Sequence, residues 1–519
     1  MEDHRTAIAL ISPGDFLAKI DLKESYLLVN INPAHRKYLR FQYDQLYEFN
    51  ALPYGLCSAP YVFSKIMRVV VTYLRSKGHK SVQYLDDLLC IGSDYKTCLK
   101  NVNETIAVLK CLGFVINYDK SIISPSQSCT FLGFVFNTKT MTITLPTDKK
   151  LSIQKSIEIY LKKYSCSIRD LAQLIGTLTA ACPASTYGWL YTKLLEHHKY
   201  RGLFKNKGSY DTKIIIHPDI KLDLQWWANN INSLHKSIAY SKYNLEIFTD
   251  ASRTGWGAIC NNNRVHGFWK ETEKLYHINY LELLAIFLAL KMFAKNKQHL
   301  SILLRVDNKT AISYINRMGG IQYPHLNNLA RSIWQWCEER CILLFASYIK
   351  SRDNKEADEE SRRVNPDIEW KLNTSTFQYI VTQLGQPDID LFASRSNAKC
   401  ESYISWKPDP DALNIDAFTV PWTNYYFYAF PPFSLILKCL QKIKNDKATG
   451  IMVMPYWPSQ AWYPSMQTML VSKLLIFKPN KQLLCSTFRE NHPLHRQLSL
   501  MVGILSGRHG KDEPSPHHL

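Results

Sequence analysis

Apolar and polar positions alternate on two periods along this chain, and the changes of period mark its organisation. Residues Leu17 to Asp21 read as a strand ending in a carboxylate. Val82 to Ile91 read as two short apolar runs broken by Asp86-Asp87, the pattern of a hairpin with acids at its bend, because charges cannot be buried unpaired. A strong helix signal follows Pro60, and residues 148–240 read as helical, with Lys149-Lys150, Lys162-Lys163 and Lys205/Lys207 exposed. Short strands are then predicted over Leu245–Asp250, Gly255–Ile259 and Arg264–Trp269. A helix from Asn279 to Phe293 carries Glu282 in its first turn and Leu283, Leu284, Phe287 and Leu290 on one broad apolar face. Strands over Ser301–Val306 and Cys341–Ile349 follow, then a helix capped by Asn354 and carrying Asp358. Another mixed segment follows Pro387.

Turn signals near Pro146, Pro218 and Pro366 are candidate boundaries, and no repeat period is visible. The expected division is 1–145, 146–243, 244–365 and 366–505, with a disordered tail over 506–519. A length of 519 residues predicts three or four domains. The hydrophobic fraction of 46% and charged fraction of 21% exclude a mainly disordered or fibrous chain. A net charge of +19 makes a polyanionic partner plausible without choosing between nucleic acid and an acidic membrane surface. There is no apolar run of about 18 residues and no charged leader followed by an apolar stretch, so neither a membrane span nor secretion is expected. The 13 cysteines are odd in number, scattered and without a CxxC pair, which fits reduced thiols in the nucleus or cytoplasm.

Adjacent acids are weak evidence by themselves. With 44 acids in 519 residues, about four such pairs arise by chance, and a solvated turn explains most of them. The apolar surround of Asp86-Asp87 changes the picture, since carboxylates held together there repel and a divalent cation relieves that cost. A third carboxylate from another strand would complete a two-metal site for phosphoryl transfer.

Five blocks in this order resemble reverse transcriptases. Ile20-Asp21-Leu22-Lys23-Glu24-Ser25-Tyr26 resembles motif A and Leu52-Pro53-Tyr54-Gly55-Leu56-Cys57-Ser58-Ala59-Pro60 motif B. Tyr84-Leu85-Asp86-Asp87 resembles the YxDD box, Leu112-Gly113-Phe114 with Lys120 motif D, and Phe131-Leu132-Gly133-Phe134 the primer-grip turn. With His35-Arg36-Lys37-Tyr38-Leu39-Arg40-Phe41, the wording is most similar to DIRS-type retrotransposons, which carry a tyrosine recombinase instead of a DDE integrase. The resemblance implies that Asp21 and Asp86 ligate two Mg²⁺ ions with Asp87 beside them. It implies that Tyr26 blocks a 2′-hydroxyl, that Gly55 lets the backbone approach the template–nucleotide pair, and that Tyr84 and Lys120 contact substrate, Lys120 at the pyrophosphate. Only about twenty residues precede Asp21, so the family's fingers region is expected to be absent, through fragmentation or truncation.

Asp250-Ala251-Ser252, Glu282, Asp307-Asn308 and Asn354-Lys355-Glu356-Ala357-Asp358 resemble the four acidic blocks of RNase H. The resemblance implies that Asp250, Glu282, Asp307 and Asp358 bind two Mg²⁺ ions and activate water against the RNA strand of a hybrid. Many relatives have a histidine six residues before the asparagine of the last block; here Tyr348 stands there.

Asp388-Ile389-Asp390-Leu391-Phe392-Ala393-Ser394, Asn397, Tyr403, Trp406 and Tyr428-Ala429-Phe430-Pro431-Pro432-Phe433 resemble the adenine-N6 methyltransferase-like region of DIRS-type elements. Active enzymes place Asp or Asn before the Pro-Pro pair; Phe430 accepts no hydrogen bond, so no methylation is expected. The aromatics Trp422, Tyr425, Tyr426, Phe427 and Tyr428 fit either base stacking or a core. No Arg-His-Arg-Tyr recombinase set is recognisable.

The expected architecture is therefore a multidomain α/β and α+β chain: a reverse transcriptase palm, a helical thumb or connection, an RNase H-like domain and an inactive methyltransferase-like α/β domain. The expected function is RNA-directed DNA polymerase with RNase H activity. The expected cofactor is Mg²⁺, two per site, with Mn²⁺ as a substitute. The expected partners are an RNA template, a DNA primer, an RNA–DNA hybrid and dNTPs, and no membrane. The rivals are an inactive relic that binds nucleic acid and a chain with nuclease activity alone.

Overall fold

Acids that interrupt apolar strands decide where this chain turns, and the computed structural model shows how. It describes residues 2–239, 242–363, 370–486 and 491–508. The boundary expected at Pro366, and residues 509–519 of the expected tail, lie outside the described residues. The chain forms two units, Met1–Ser241 with Gly320–Gln322, and Lys242–Gly319 with Tyr323–Leu519.

In the first unit, β1 (Phe16–Lys23) is the central strand of an antiparallel sheet. α1 (Ala59–Ser76) leads into β2 (Lys80–Tyr84) and β3 (Asp87–Gly92), and β3 pairs with β1 so that Asp21 stands opposite Asp87. α2 (Tyr95–Cys111) follows, and its buried Cys98, Val102 and Leu109 join Phe63, Met67 and Leu74 of α1 over Ile20, Leu88 and Cys90. Burying these faces supplies most of the driving force, about 25 cal/mol per Å² of apolar surface.

The β2–β3 turn has two residues, Leu85 and Asp86, and Leu85 takes a φ of +52°. A left-handed leucine costs about 1–2 kcal/mol. The packing of Leu85 against the core beneath the sheet offsets that strain and fixes the turn that presents the acids. A second two-residue turn, Leu132-Gly133, has both φ values positive, at 49° and 76°, and joins the strands Ser128–Phe131 and Phe134–Asn137. Positive φ at both positions matches the right-handed twist of the flanking strands. The helices α3 (Thr147–Lys162), α4 (Ile168–Ala181), α5 (Lys193–Lys205) and α6 (Pro218–Asn230) follow. The region read as helical also contains a strand pair, Ser165–Ser167 with Lys213–Ile215, too short for any periodic signal.

Among its described residues the second unit contains two large sheets and a two-stranded pair, Lys371–Leu372 with Leu484–Cys485. In the first, β4 (Leu245–Ala251), β5 (Gly255–Cys260) and β6 (Asn263–Phe268) are antiparallel. After α7 (Ile278–Ala294), β7 (Ser301–Val306) and β8 (Leu343–Tyr348) extend the sheet in parallel, in the order β6-β5-β4-β7-β8. α8 (Pro324–Glu338) lies between β7 and β8 in sequence, and α9 (Lys355–Ser361) closes the module. α7 is buried on nearly every side rather than along one stripe, because it packs on β4, β5 and α8 together.

The second sheet has seven strands. β9 (Ile389–Asp390), β10 (Ser402–Ser405), β11 (Asn414–Ile415), β12 (Tyr426–Ala429) and β13 (Thr449–Pro455) are mutually parallel, and β14 (Leu475–Phe477) and β15 (Leu500–Ser506) complete the order β11-β10-β9-β12-β13-β15-β14. Strand order reverses between β9 and β12, so the crevice of this doubly wound sheet opens beyond Asp390 and Ala429. β15 runs through Ser506, where the tail was expected to begin, because its pairing with β13 continues to Thr449. Among the described residues, no helix is long and apolar enough to cross a membrane.

Gly257 sets the approach of α9 to β5. A Cβ there would lie 2.4 Å from the Ala357 carbonyl oxygen and 2.5 Å from the Ser361 nitrogen. Gly257→Ala is therefore expected to displace α9 and destabilise the unit by about 1–3 kcal/mol, as other overpacking does. A denaturant titration checks this; an unchanged midpoint would refute the close-approach account.

Candidate active sites

The first site forms where β1 meets the β2–β3 turn. Asp21 is buried, and its backbone N–H donates to Ser121 Oγ at 3.0 Å. The Asp86 carbonyl accepts from the Leu22 N–H at 3.0 Å, which ties the turn to β1. Lys19, two residues before Asp21 and so on the same face of β1, sits beside the acids: its Nζ lies 2.7 Å from Asp87 Oδ1 and 3.7 Å from Asp21 Oδ2. Burial raises the Asp87 carboxyl above its ordinary range, and the Lys19 ammonium opposes that rise. Sequence reading passed over Lys19, although its i, i+2 spacing from Asp21 was available.

Tyr26 is buried, stacked 5.2 Å from the Tyr54 ring and 4.9 Å from Phe63. Burial first, then the nearby Asp86 charge, raises its phenol. Gly55 takes a φ of +87° on an exposed turn with open space beside it, a conformation that favours glycine. Tyr84 is half-buried at the end of β2, and Lys120 is exposed.

The second site gathers acids from three elements. One carboxylate oxygen each from Asp250 on β4, Glu282 on α7 and Asp307 just beyond β7 lie within 4.8 Å of one another. The parallel register of β4 and β7 brings the first and third to one sheet edge. Glu282 is one residue past the first turn of α7, which begins at Ile278 after its cap His277, so burial rather than the helix dipole dominates its chemistry. Burial, then Asp250 and Asp307, pushes its carboxyl up to about 9. Its Oε2 is buried without a hydrogen-bond partner.

Serines hold the other acids. Ser361 Oγ donates to Asp250 Oδ2 and Ser351 Oγ to Asp307 Oδ2, each at 2.6 Å. Asp358 stands apart from the close trio; its Oδ1 accepts from Arg362 at 2.8 Å, although its charge reaches Asp250. Asn354 precedes α9 but does not cap it with its side chain, which donates instead to the Thr249 carbonyl at 3.0 Å and anchors the helix to β4. Tyr348 is exposed at the end of β8, with Lys309 Nζ 5.9 Å from its ring centre.

Three crowded carboxylates with an orphaned buried oxygen and all-oxygen donors fit a hard divalent cation. The first site fits one less directly, since an ammonium already neutralises Asp87.

In the doubly wound sheet, Asp390 is fully buried, accepts from the Phe392 and Lys399 N–H groups at 3.2 and 3.0 Å, and is raised by burial to about 6. Asp388 accepts from the Tyr426 N–H at 2.8 Å. Trp422, Phe427 and Tyr428 are core residues, which resolves them away from base stacking, whereas Trp406 is exposed. Phe430 follows β12 at the crevice and packs near Phe433.

Because the Glu282 carboxyl is raised from 4.5 to about 9, the cation-free protein loses stability as pH rises through that interval, while cation binding must expel the proton. Mg²⁺ affinity is expected to climb across that interval, with proton release visible by calorimetry in buffers of different ionisation enthalpy. A pH-independent affinity would contradict the cluster's electrostatics. Ser361→Ala is expected to weaken Mg²⁺ binding about 10–100-fold, as loss of an outer-shell partner does.

Comparisons with known proteins agree with part of this reading. Residues 2–136 match the family described as reverse transcriptase (RNA-dependent DNA polymerase), and residues 361–476 match DNA N-6-adenine-methyltransferase (Dam). The enzymatic polyprotein of Cauliflower mosaic virus (strain Strasbourg) is 26% identical over 382 residues, covering 69% of this chain and 51% of that polyprotein. The genome polyprotein of Petunia vein clearing virus (isolate Shepherd) is 23% identical over 316 residues, covering 58% of this chain and 13% of that polyprotein. The chain thus spans about half, or less, of these relatives. A solved foamy viral protease-reverse transcriptase in complex with an RNA/DNA hybrid shares 15% identity at a TM-score of 0.41, covering 67% of this chain and 46% of that one. This mixed α/β chain therefore carries a reverse transcriptase domain, followed by a methyltransferase-like region, and is homologous to viral and retroelement polyproteins.

Proposed function

We propose that the chain is the RNA-directed DNA polymerase and RNase H of a DIRS-like retrotransposon. The observation that carries the nuclease half is the convergence of Asp250, Glu282 and Asp307 from β4, α7 and β7. The polymerase half rests on the reverse transcriptase match and on Asp21 standing opposite Asp87 beside the Asp86 turn. The DIRS-like assignment is supported by reverse transcriptase and adenine-methyltransferase matches within a single chain.

In this reading Asp21, Asp86 and Asp87 hold Mg²⁺ at the polymerase site, and Asp250, Glu282, Asp307 and Asp358 hold it at the nuclease site. Bound Mg²⁺ supplies charge for the attacking and leaving oxygens of phosphoryl transfer. Ser361 and Ser351 orient the nuclease carboxylates, and Tyr26, braced by Tyr54 and Phe63, presents a rigid wall to the sugar of a dNTP. Tyr348 in place of a histidine leaves product release without imidazole assistance. The methyltransferase-like region is catalytically silent, because Phe430 offers no acceptor for an amine.

The Lys19–Asp87 ion pair favours a second reading, in which only the nuclease works. Primer extension on poly(A)/oligo(dT) and cleavage of a labelled RNA–DNA hybrid, both with Mg²⁺, separate the two. The main reading expects both activities, extension abolished by Asp86→Asn and cleavage abolished by Asp307→Asn. Cleavage without extension selects the second reading. Hybrid binding with neither activity defeats both.

A further inference from the structure

We propose that His198, His217 and Asp219 form a binding site for a transition-metal cation of the zinc class, between α5 and α6 of the first unit. One ligand atom from each of the three lies within 4.8 Å of the others. The Asp219 carboxylate presents a different oxygen to each ring: Oδ2 lies 3.2 Å from His198 Nε2, and Oδ1 lies 2.8 Å from His217 Nδ1. The two imidazoles stack with centroids 5.6 Å apart and planes 29° apart, so their nitrogens face the same carboxylate.

The local sequence builds this arrangement. Pro218 opens α6 and presets its backbone, leaving His217 extended at the cap with φ −67° and ψ 150°. Asp219 then occupies the first turn, where its Oδ1 also accepts from the Ile220 N–H at 2.7 Å. His198 reaches it from the middle of α5.

Donor chemistry selects the ion. Two imidazoles and one carboxylate make an N,N,O set that suits Zn²⁺ and its neighbours, whereas Mg²⁺ and Ca²⁺ take oxygen ligands. Zinc ligands about 2.0–2.2 Å from a tetrahedral ion stand roughly 3.3–3.5 Å from one another, so the observed 2.8 and 3.2 Å separations need only small adjustments to admit the ion. The side chains are 21%, 62% and 37% exposed for His198, His217 and Asp219, so solvent reaches a fourth position. The bound ion would cross-brace α5 and the start of α6.

The test uses the full chain, stripped with EDTA and exchanged into metal-free buffer, then titrated with Zn²⁺ by calorimetry and with Co²⁺ by visible absorption. The acidic cluster and exposed Cys57, Cys111 and Cys341 also attract zinc, so the comparison is between variants. The unmodified chain and Glu282→Gln are expected to share one tight Zn²⁺ equivalent, and an intense tetrahedral Co²⁺ band, that His198→Ala/His217→Ala lacks. Single His217→Gln, at an exposed position, keeps a hydrogen-bonding side chain but supplies no imidazole. It should lose at least about tenfold in Zn²⁺ affinity, the lower bound for removing even an outer-shell partner. Equal stoichiometry and affinity in the unmodified chain and His217→Gln would overturn the proposal and leave the trio as a hydrogen-bonded staple.

Discussion

Carboxylates drawn together at the edge of a dry sheet repel one another and lose hydration, and both acidic sites of this chain are organised around that cost. The solutions differ. Beside β1 the counter-charge is built in: Lys19 reaches Asp87 from the same face that carries Asp21. At the β4–β7 edge, among the described residues, no lysine or arginine is paired with the trio, although the Arg362 charge, paired with Asp358, reaches Asp250. Hydroxyl donors from Ser361 and Ser351 stabilise two acids, and the third, Glu282, is held in its protonated form well above the usual carboxylate range. Strand register and the packing of α7 impose the crowding, and the side chains around it determine how it is tolerated.

The methyltransferase-like region also bears on the helix that carries Glu282. Arg395 is nearly buried and forms a fork with Glu273, at 2.7 Å for one arm, while its Nε donates to Asp411 at 2.8 Å. Asp411 in turn accepts from Lys291 on α7 at 2.8 Å. Removing one member of such a network strands the remaining buried charges, which costs several kcal/mol. The loop between β9 and β10, through Arg395, braces the segment before α7, and the loop after β10, through Asp411, braces α7 itself. This explains in physical terms how a crevice whose Phe430 cannot accept an amine hydrogen bond can still be part of a working fold.

Much of the architecture was legible in the residues because strong periodicity survives tertiary context. The helix expected over Asn279–Phe293 is α7, and the strand expected over Ser301–Val306 is β7. The details that failed depend on partners far away in sequence. Asn354 has the right identity and position for a cap, yet the buried Thr249 carbonyl claims its side chain. Glu282 was read as a first-turn acid because one residue of helix boundary separates that from its actual place. Ser351 and Ser361 carry no motif, and His198 lies 21 positions from Asp219; only folding puts them beside their acids, whereas Lys19 and His217 each stand two residues from an acid of their site. The tail expectation failed at Ser506 because a strand edge, rather than composition, sets where pairing ends.

The two acidic sites consequently present different thresholds to a divalent ion. At the β4–β7 edge an ion would replace a proton, so its binding would compete with pH; Glu282 Oε2 is buried there without a hydrogen-bond partner. At β1 the ion must displace an ammonium held at 2.7 Å on a side chain that has solvent within reach. A lysine has four rotatable bonds and recovers both hydration and rotamer entropy on leaving, so the barrier is modest. Under the proposed polymerase function, an incoming triphosphate would alter that competition, because a polyanion attracts the ammonium as well as the metal. On that reading, loading of the β1 site would be coupled to nucleotide arrival, and loading of the β4–β7 site to proton release.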